Sequence, residues 1–248
     1  MTGAASAERK VPHKVQVLLA TLLARGNRVV STEQIIAEIW GESPPRQATA
    51  AVHVYISQLR KLLTVPRGAE HPVVTRAPGY MINLQGEETD LDVFRARLGQ
   101  GRACQARGDH LAAAGHFESA LSLWRGPVLG DLRGGLILDG FALWLEKLRL
   151  ECTELLADSN LLMGCHRTVV SFLYEALSEH ALHETFYHQL MIALYRSNRR
   201  AEALEVYQRA RRTLQAELGL EPCRALRDIH QAILSSDDRL EAAVPIAL

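Results

Sequence analysis

Residues 47–63, QATAAVHVYISQLRKLL, carry two different faces on one helical stretch. Val52, Ile56, Leu59 and Leu63 are spaced four, three and four apart and form a narrow apolar stripe. At about 100° per residue, Arg46, Thr49, His53, Ser57 and Arg60 cluster roughly a third of a turn away. That second face holds no carboxylate. A solvated helix face normally mixes both signs of charge. A face of Arg, Thr, His, Ser and Arg offers donors for phosphates and guanine, with short polar groups that allow close approach. Those are the needs of a major-groove reader.

The flanks of this stretch predict its setting. Upstream, Val15–Ala24 is an apolar run dense enough for a buried helix, entered after Pro12 and closed by Gly26-Asn27. Ser31-Thr32-Glu33-Gln34 has the spacing of a capping box. The helix it starts would bury Ile35, Ile36, Ile39 and Trp40 and stop at Gly41. Gly41-Glu42-Ser43-Pro44-Pro45 then reads as a rigid loop, since neither proline can donate to a helix ladder. Downstream, a loop at Val65–His71 leads to Val73-Val74-Thr75-Arg76, a turn at Ala77-Pro78-Gly79, and Tyr80–Leu84. Two β-rich runs around Pro-Gly predict a hairpin. With Arg76 near its tip, the hairpin can enter a minor groove or hold a phosphate. Two helices, a reading helix and a hairpin make a winged helix-turn-helix over residues 11–86.

The rest of the chain repeats one spacing, a turn residue followed by three core positions. The copies are Gly108, Ala113, Phe117, Ala120; Gly164, Val169, Leu173, Ala176; and Asn198, Ala203, Tyr207, Ala210. Val169 and Ala203 are 34 residues apart, the period of tetratricopeptide helix pairs. Helices are expected over Asp90–Arg107, Leu111–Trp124, Phe141–Met163, Thr168–Glu179, Glu184–Arg196, Arg200–Glu217 and Cys223–Leu234. Gly126–Gly140 reads as a loop whose Leu136-Ile137-Leu138 needs a partner surface, its own groove or that of a second protomer. The fold class is therefore mainly α, a winged helix-turn-helix domain followed by an all-α tetratricopeptide-like helical repeat domain over residues 90–235. Residues 236–248 are expected to form a flexible tail. Such repeats are binding scaffolds rather than catalysts.

Composition narrows the function classes. The 248 residues balance 28 Lys/Arg against 28 Asp/Glu. Residues 1–86 hold ten basic and five acidic side chains, and residues 87–248 hold 18 and 23. A basic head joined to an acidic helical module points the head at a polyanion, although a +5 excess also occurs in ordinary domains. The four cysteines show no metal-ligand spacing, which argues for a reducing cytoplasm and against a zinc site. No run approaches the roughly 20 apolar residues of a membrane span. Met1–Lys10 lacks an apolar signal core. His180, His183 and His188 lack a fitting acidic neighbour for a metal site. No nucleophile elbow, Ser-His-Asp order or Gly-x4-Gly-Lys loop occurs, so neither an enzyme nor a bound cofactor is expected. The basic run Arg196, Arg199, Arg200, Arg209, Arg211 and Arg212 reads as a solvated face balanced by Glu202, Glu205 and Glu217.

Several short stretches together resemble one family. Trp40-Gly41-Glu42-Ser43-Pro44-Pro45, Val54-Tyr55-Ile56-Ser57-Gln58-Leu59-Arg60-Lys61-Leu62-Leu63 and Thr75-Arg76-Ala77-Pro78-Gly79-Tyr80 resemble the OmpR-like winged helix of the Streptomyces antibiotic regulatory protein family. Leu123-Trp124-Arg125-Gly126-Pro127, Ala193-Leu194-Tyr195-Arg196-Ser197 and Glu217-Leu218-Gly219-Leu220-Glu221-Pro222 resemble that family's bacterial transcriptional activation domain. The resemblance implies an activator of a secondary-metabolite gene cluster. It would bind promoter direct repeats as two protomers side by side and recruit RNA polymerase through its sigma factor. It also implies DNA contacts from Thr49, His53, Ser57 and Arg60, a phosphate contact from Lys61 at the edge of that face, and a wing contact from Arg76. Glu42, Ser43, Pro44, Pro45 and Arg46 match the loop that touches polymerase in related winged helices. Two departures stand out. Members begin with a run of β-strands, whereas about a dozen residues precede the first helix here, so that sheet is expected to be short or missing. Gln58 stands where relatives carry a basic residue. The competing expectation is a tetratricopeptide-like interaction scaffold that has lost DNA binding.

Overall fold

The computed structural model describes residues 11–63, 65, 70–84 and 86–237. The expectations for Met1–Lys10, for most of the loop after the third helix and for the tail beyond Asp237 lie outside the described residues. The chain divides into two compact units.

The first unit comprises residues 1–89 together with 125–148. Helix α1 (His13–Ala24) leads to a short strand β1 (Val30–Ser31), α2 (Thr32–Trp40) and α3 (Ala48–Leu62), followed by the hairpin β2 (Val73–Arg76) and β3 (Gly79–Ile82). The expected capping box starts α2. The Gln34 backbone N–H donates to Ser31 Oγ at 3.1 Å, and the Ser31 N–H donates back to Gln34 Oε1 at 3.0 Å. Val15, Leu18 and Leu22 of α1 pack with Ile35, Val52, Ile56 and Leu59, and the hairpin adds Val73, Tyr80 and Ile82.

The sheet is antiparallel in the order β1-β3-β2, with Val30 opposite Tyr80 and Val74 opposite Met81. Sequence reading missed β1 because two residues are too short for an alternation pattern. It is this strand that seats the hairpin. Gly79 makes the pairing possible, because a Cβ there would lie 1.9 Å from the Val30 carbonyl oxygen.

Residues 126–140 are more ordered than the glycine content suggests. A 3-10 turn covers Gly130–Leu132, and a helix, α6 (Leu136–Leu162), begins at Leu136 rather than at Phe141. No local Ser, Thr, Asp or Asn cap marks that start. The cap is Glu38 of α2, whose Oε1 accepts the Ile137 N–H at 2.6 Å and whose Oε2 accepts the Leu138 N–H at 3.2 Å. A carboxylate at a helix N-terminus satisfies free donors and opposes the helix dipole. Gly135 lets the backbone pass, since a Cβ there would sit 2.3 Å from Glu38 Oε2. Leu138 is fully buried against Val17 and Ala20 of α1, and Ile137 packs on the winged-helix core. The surface that Leu136-Ile137-Leu138 required is thus within this unit, although Leu136 itself stays 90% exposed.

The second unit comprises residues 90–124 and 149–248. It contains α4 (Asp90–Ala106), α5 (His110–Leu121), the later part of α6 (Leu136–Leu162), α7 (His166–Glu179), α8 (Glu184–Arg196), α9 (Arg200–Leu218) and α10 (Arg224–Ser235). The three repeated turn residues are in left-handed conformation, with φ of 77° at Gly108 and Gly164 and 61° at Asn198. Each turn is closed by the same bonds. The next residue's N–H reaches five residues back, from Asp109 to Cys104, from Cys165 to Asn160 and from Arg199 to Leu194. That is the Schellman closure of a helix end. The core positions that follow, Ala113, Phe117, Val169, Leu173, Ala203 and Tyr207, are all buried. Helix α8 is enclosed along its length, with every residue from Phe186 to Leu194 buried.

Candidate nucleic-acid interface

Helix α3 buries Ala48, Val52, Ile56 and Leu59 and turns its other side to solvent. Arg46, Thr49, His53, Ser57 and Lys61 are all exposed there, and no carboxylate lies between Arg46 and Leu63. The loop before α3 leaves α2 through Gly41 at φ 58°, with Glu42, Ser43, Pro44, Pro45 and Arg46 exposed. Gln58 is half-buried, its Oε1 without a hydrogen-bond partner among the described residues. Two residues of the outward side escaped the polar pattern. Ala50 is exposed, and Val54 is 53% exposed. The signal that could have found them is their angle on the helix, away from the apolar stripe.

Arg60 is bonded within the unit. Its Nε donates to the Val73 carbonyl at 3.1 Å and its Nη2 to Thr75 Oγ1 at 3.0 Å. The side chain is therefore fixed against strand β2 and is not a free arm on the helix face. His71 completes the joint. Its Nδ1 accepts the Val73 N–H at 3.0 Å, which leaves Nε2 to donate to the Arg60 carbonyl at 3.0 Å and defines a neutral tautomer. Because β2 is an edge strand, Arg60 and His71 together occupy backbone groups that would otherwise invite strand pairing.

The wing is held at its tip and its middle. Thr32 donates to the Pro78 carbonyl from its N–H at 3.2 Å and from Oγ1 at 3.3 Å. His53 of α3 meets Tyr80 of β3 edge to face at 6.5 Å. Arg76 remains exposed at the end of β2. An open cleft of about 650 Å³ runs along the hairpin, lined among others by Asn27, Arg60, His71, Thr75, Arg76 and Asn83. Thr49, His53, Ser57 and Lys61 are thus exposed on α3, with Arg46 exposed in the loop before it and Arg76 exposed on the wing.

The other sequence candidates take structural places. His183 Nε2 lies 2.5 Å from Glu154 Oε1, a partner from α6 that local spacing could not reveal. His188 is buried, and that burial holds its pKa below the usual imidazole range. Among the described residues, no group of three His, Cys, Asp or Glu could hold a metal ion. In the basic run, Arg199 pairs with Glu202, and Arg211 pairs with Glu221 rather than with Glu217. Cys152 is buried, and desolvation pushes its thiol up to about 12, which makes it unreactive. Among the described residues no helix is long and apolar enough to cross a membrane.

A winged-helix head carried in one chain with a helical-repeat module defines a class of transcriptional regulators. Residues 8–82 match the family described as transcriptional regulatory protein, C terminal, and residues 89–234 match the bacterial transcriptional activator domain. The chain belongs to the Streptomyces antibiotic regulatory protein family. It is 32% identical over 246 residues to the regulatory protein DnrI of Streptomyces peucetius, covering 96% of this chain and 90% of that one. It is 36% identical over 225 residues to the regulatory protein AfsR of Streptomyces griseus, covering 91% of this chain but only 22% of AfsR. Among solved structures, Mycobacterium tuberculosis EmbR in complex with a low-affinity phosphopeptide superposes with a TM-score of 0.83 at 33% identity. That match covers 94% of this chain and 62% of EmbR.

Proposed function

We propose that this regulator binds promoter DNA with α3 in the major groove and the wing against the backbone, and activates transcription of a secondary-metabolite gene cluster. The observation that carries this reading is the carboxylate-free exposed face Arg46, Thr49, His53, Ser57 and Lys61 beside the exposed wing residue Arg76. Short polar groups there can approach base edges, while the cations at the margin meet phosphates. Family membership, and the likeness to regulators of Streptomyces, support the cluster assignment. Two protomers bind direct repeats side by side. The exposed loop Glu42–Arg46 meets RNA polymerase holoenzyme, and the protein works in the cytoplasm on the nucleoid. The chain acts as a regulator and not as a catalyst, and it needs no cofactor.

Selection from a random duplex library at near-physiological salt tests this reading. Enrichment of a spaced direct repeat is expected. Lys61→Ala and Arg76→Ala should each weaken binding to every enriched sequence alike and lower the salt slope by about one unit, the signature of a lost phosphate contact. No enrichment from a folded protein would favour an interaction scaffold instead.

A further inference from the structure

The first turns of α6 carry an apolar stripe that the first unit leaves uncovered. At about 100° per residue, Leu136, Gly140, Leu143 and Lys147 fall within about 60° of one another, opposite the buried Leu138 and Ala142. Leu136 is 90% exposed and Leu143 57%, and Trp144 at the edge of the stripe is 39% exposed. At Gly140, nothing among the described residues lies within 4 Å of the point where a Cβ would stand. Glycine weakens a helix relative to alanine, and no close approach within this chain calls for it here. Leucines on either side of a gap on one helix face are the knobs and the hole of a helix–helix contact.

A second copy of the chain fits that pattern. Gly140 and Leu143 are three residues apart, so antiparallel pairing about their midpoint sets Leu143 of each copy into the gap at Gly140 of the other. A two-fold contact requires that kind of self-complementarity. The charges agree with it. Asp139 stands toward the amino end of the stripe's margin and Lys147 at its carboxyl end, so the same pairing brings each lysine within reach of the other copy's aspartate. Half-buried Glu146 adds one acid to that margin, and Arg133, 3.4 Å from Asp139, adds one base, which leaves the margin balanced. Three such side chains expose an area on the order of 300–600 Å², the scale of a functional patch on a monomer. Two copies together do not exceed the roughly 1,200 Å² at which stable complexes begin, so the pairing is reversible.

We infer that the Leu136, Gly140, Leu143 and Trp144 stripe of α6 is a docking surface for the same stripe of a second copy, forming a weak antiparallel two-fold pair. The inference does not depend on the DNA-binding reading above. Protomers on direct repeats are related by a step along the duplex, a head-to-tail arrangement, whereas a two-fold contact presents one surface to itself. The α6 pair therefore joins copies other than neighbours on one operator.

Sedimentation equilibrium of the full chain without DNA, over a concentration series reaching the high micromolar range, tests this. A reversible monomer–dimer equilibrium is expected. Leu143→Glu should leave the protein monomeric throughout the series, with an unchanged thermal unfolding midpoint because the side chain is exposed. Gly140→Gln should move two readouts in opposite senses. The unfolding midpoint should rise, since glutamine is the better helix former and the space is open, while the association constant falls by about tenfold or more as the gap fills in both copies. A glycine with a purely local role would not couple those two changes. A protein that stays monomeric at every concentration would overturn the assignment, and so would a dimer that both variants leave intact. Growth beyond the dimer would overturn it as well, because a two-fold contact closes at two copies. Each of these outcomes leaves the DNA-binding reading untouched, since no duplex is present.

Discussion

Arg60 shows how a residue's place can be legible in the sequence while its partners are not. Its place on the helix was legible, because the apolar stripe fixes the angle of every residue in α3. Its attachment was not, because the partners Val73 and Thr75 lie 13 and 15 residues away across a loop. Two charge-assisted hydrogen bonds now tie the guanidinium to an edge strand. Arg60→Ala should therefore destabilise the first unit by about 1.5–3 kcal/mol, the usual worth of a hydrogen bond involving a charged group. DNA affinity should fall as well, because the wing loses its anchor. Lys61→Ala, one residue on and exposed, should weaken binding with no change in urea midpoint. Urea unfolding alongside a salt titration of binding separates the two. Equal stability of both variants would show that the Arg60 joint contributes nothing to the fold.

At the scale of elements, the repeat spacing was visible because its three turns use one mechanism. A left-handed residue closes the first helix of each pair, and small side chains follow at the contact with the second. Glycine takes that conformation without cost, whereas an L-residue with a Cβ pays about 1–2 kcal/mol. Gly164→Ala should accordingly lower stability by about that amount, and Asn198→Ala by less than that, since asparagine already carries part of the penalty. Guanidinium unfolding monitored by far-UV circular dichroism checks both, and a neutral Gly164→Ala would mean the turn relaxes to a different closure. The start of α6 was illegible for the opposite reason. Gly134-Gly135 and the following Leu136-Ile137-Leu138 look like a loop, and the carboxylate that caps them sits about a hundred residues earlier in the chain, on α2. The edge strand β1 was missed for want of length, yet its pairing with β3 gives the hairpin a seat.

Across the whole molecule, the linear boundary near residue 89 was legible from charge and repeat spacing, and the two family matches fall on either side of it. Packing cuts the chain differently, because Leu138 and Ile137 are held by α1 and α2. Hydrophobic periodicity can locate elements, but which face covers which is decided by contacts remote in sequence. The second unit also carries a shared electrostatic property. His166 of α7, His188 of α8 and His230 of α10 all have pKa values lowered below 6.5, in each case chiefly by burial, with Arg196 adding to the effect at His166. The unfolded chain binds protons at these three sites near pH 6.5, while the folded chain resists them. By linkage, stability is fully present above the unfolded value and is lost as the pH falls through 6.5 toward the folded values. Asp158 works in the opposite sense, since burial raises its pKa and its protonation in acid favours the folded state at pH values above its ordinary 3.8. From pH 7.5 to 5.5 the three histidines act together in the first sense. The urea midpoint of the helical unit should therefore fall steadily over that interval, and His188→Leu, which removes the most buried of the three, should flatten the slope even if it shifts the midpoint at pH 7.5. A midpoint that holds constant from pH 7.5 to 5.5 in the unaltered protein would mean that these imidazoles take up protons in the folded state as readily as in the unfolded one.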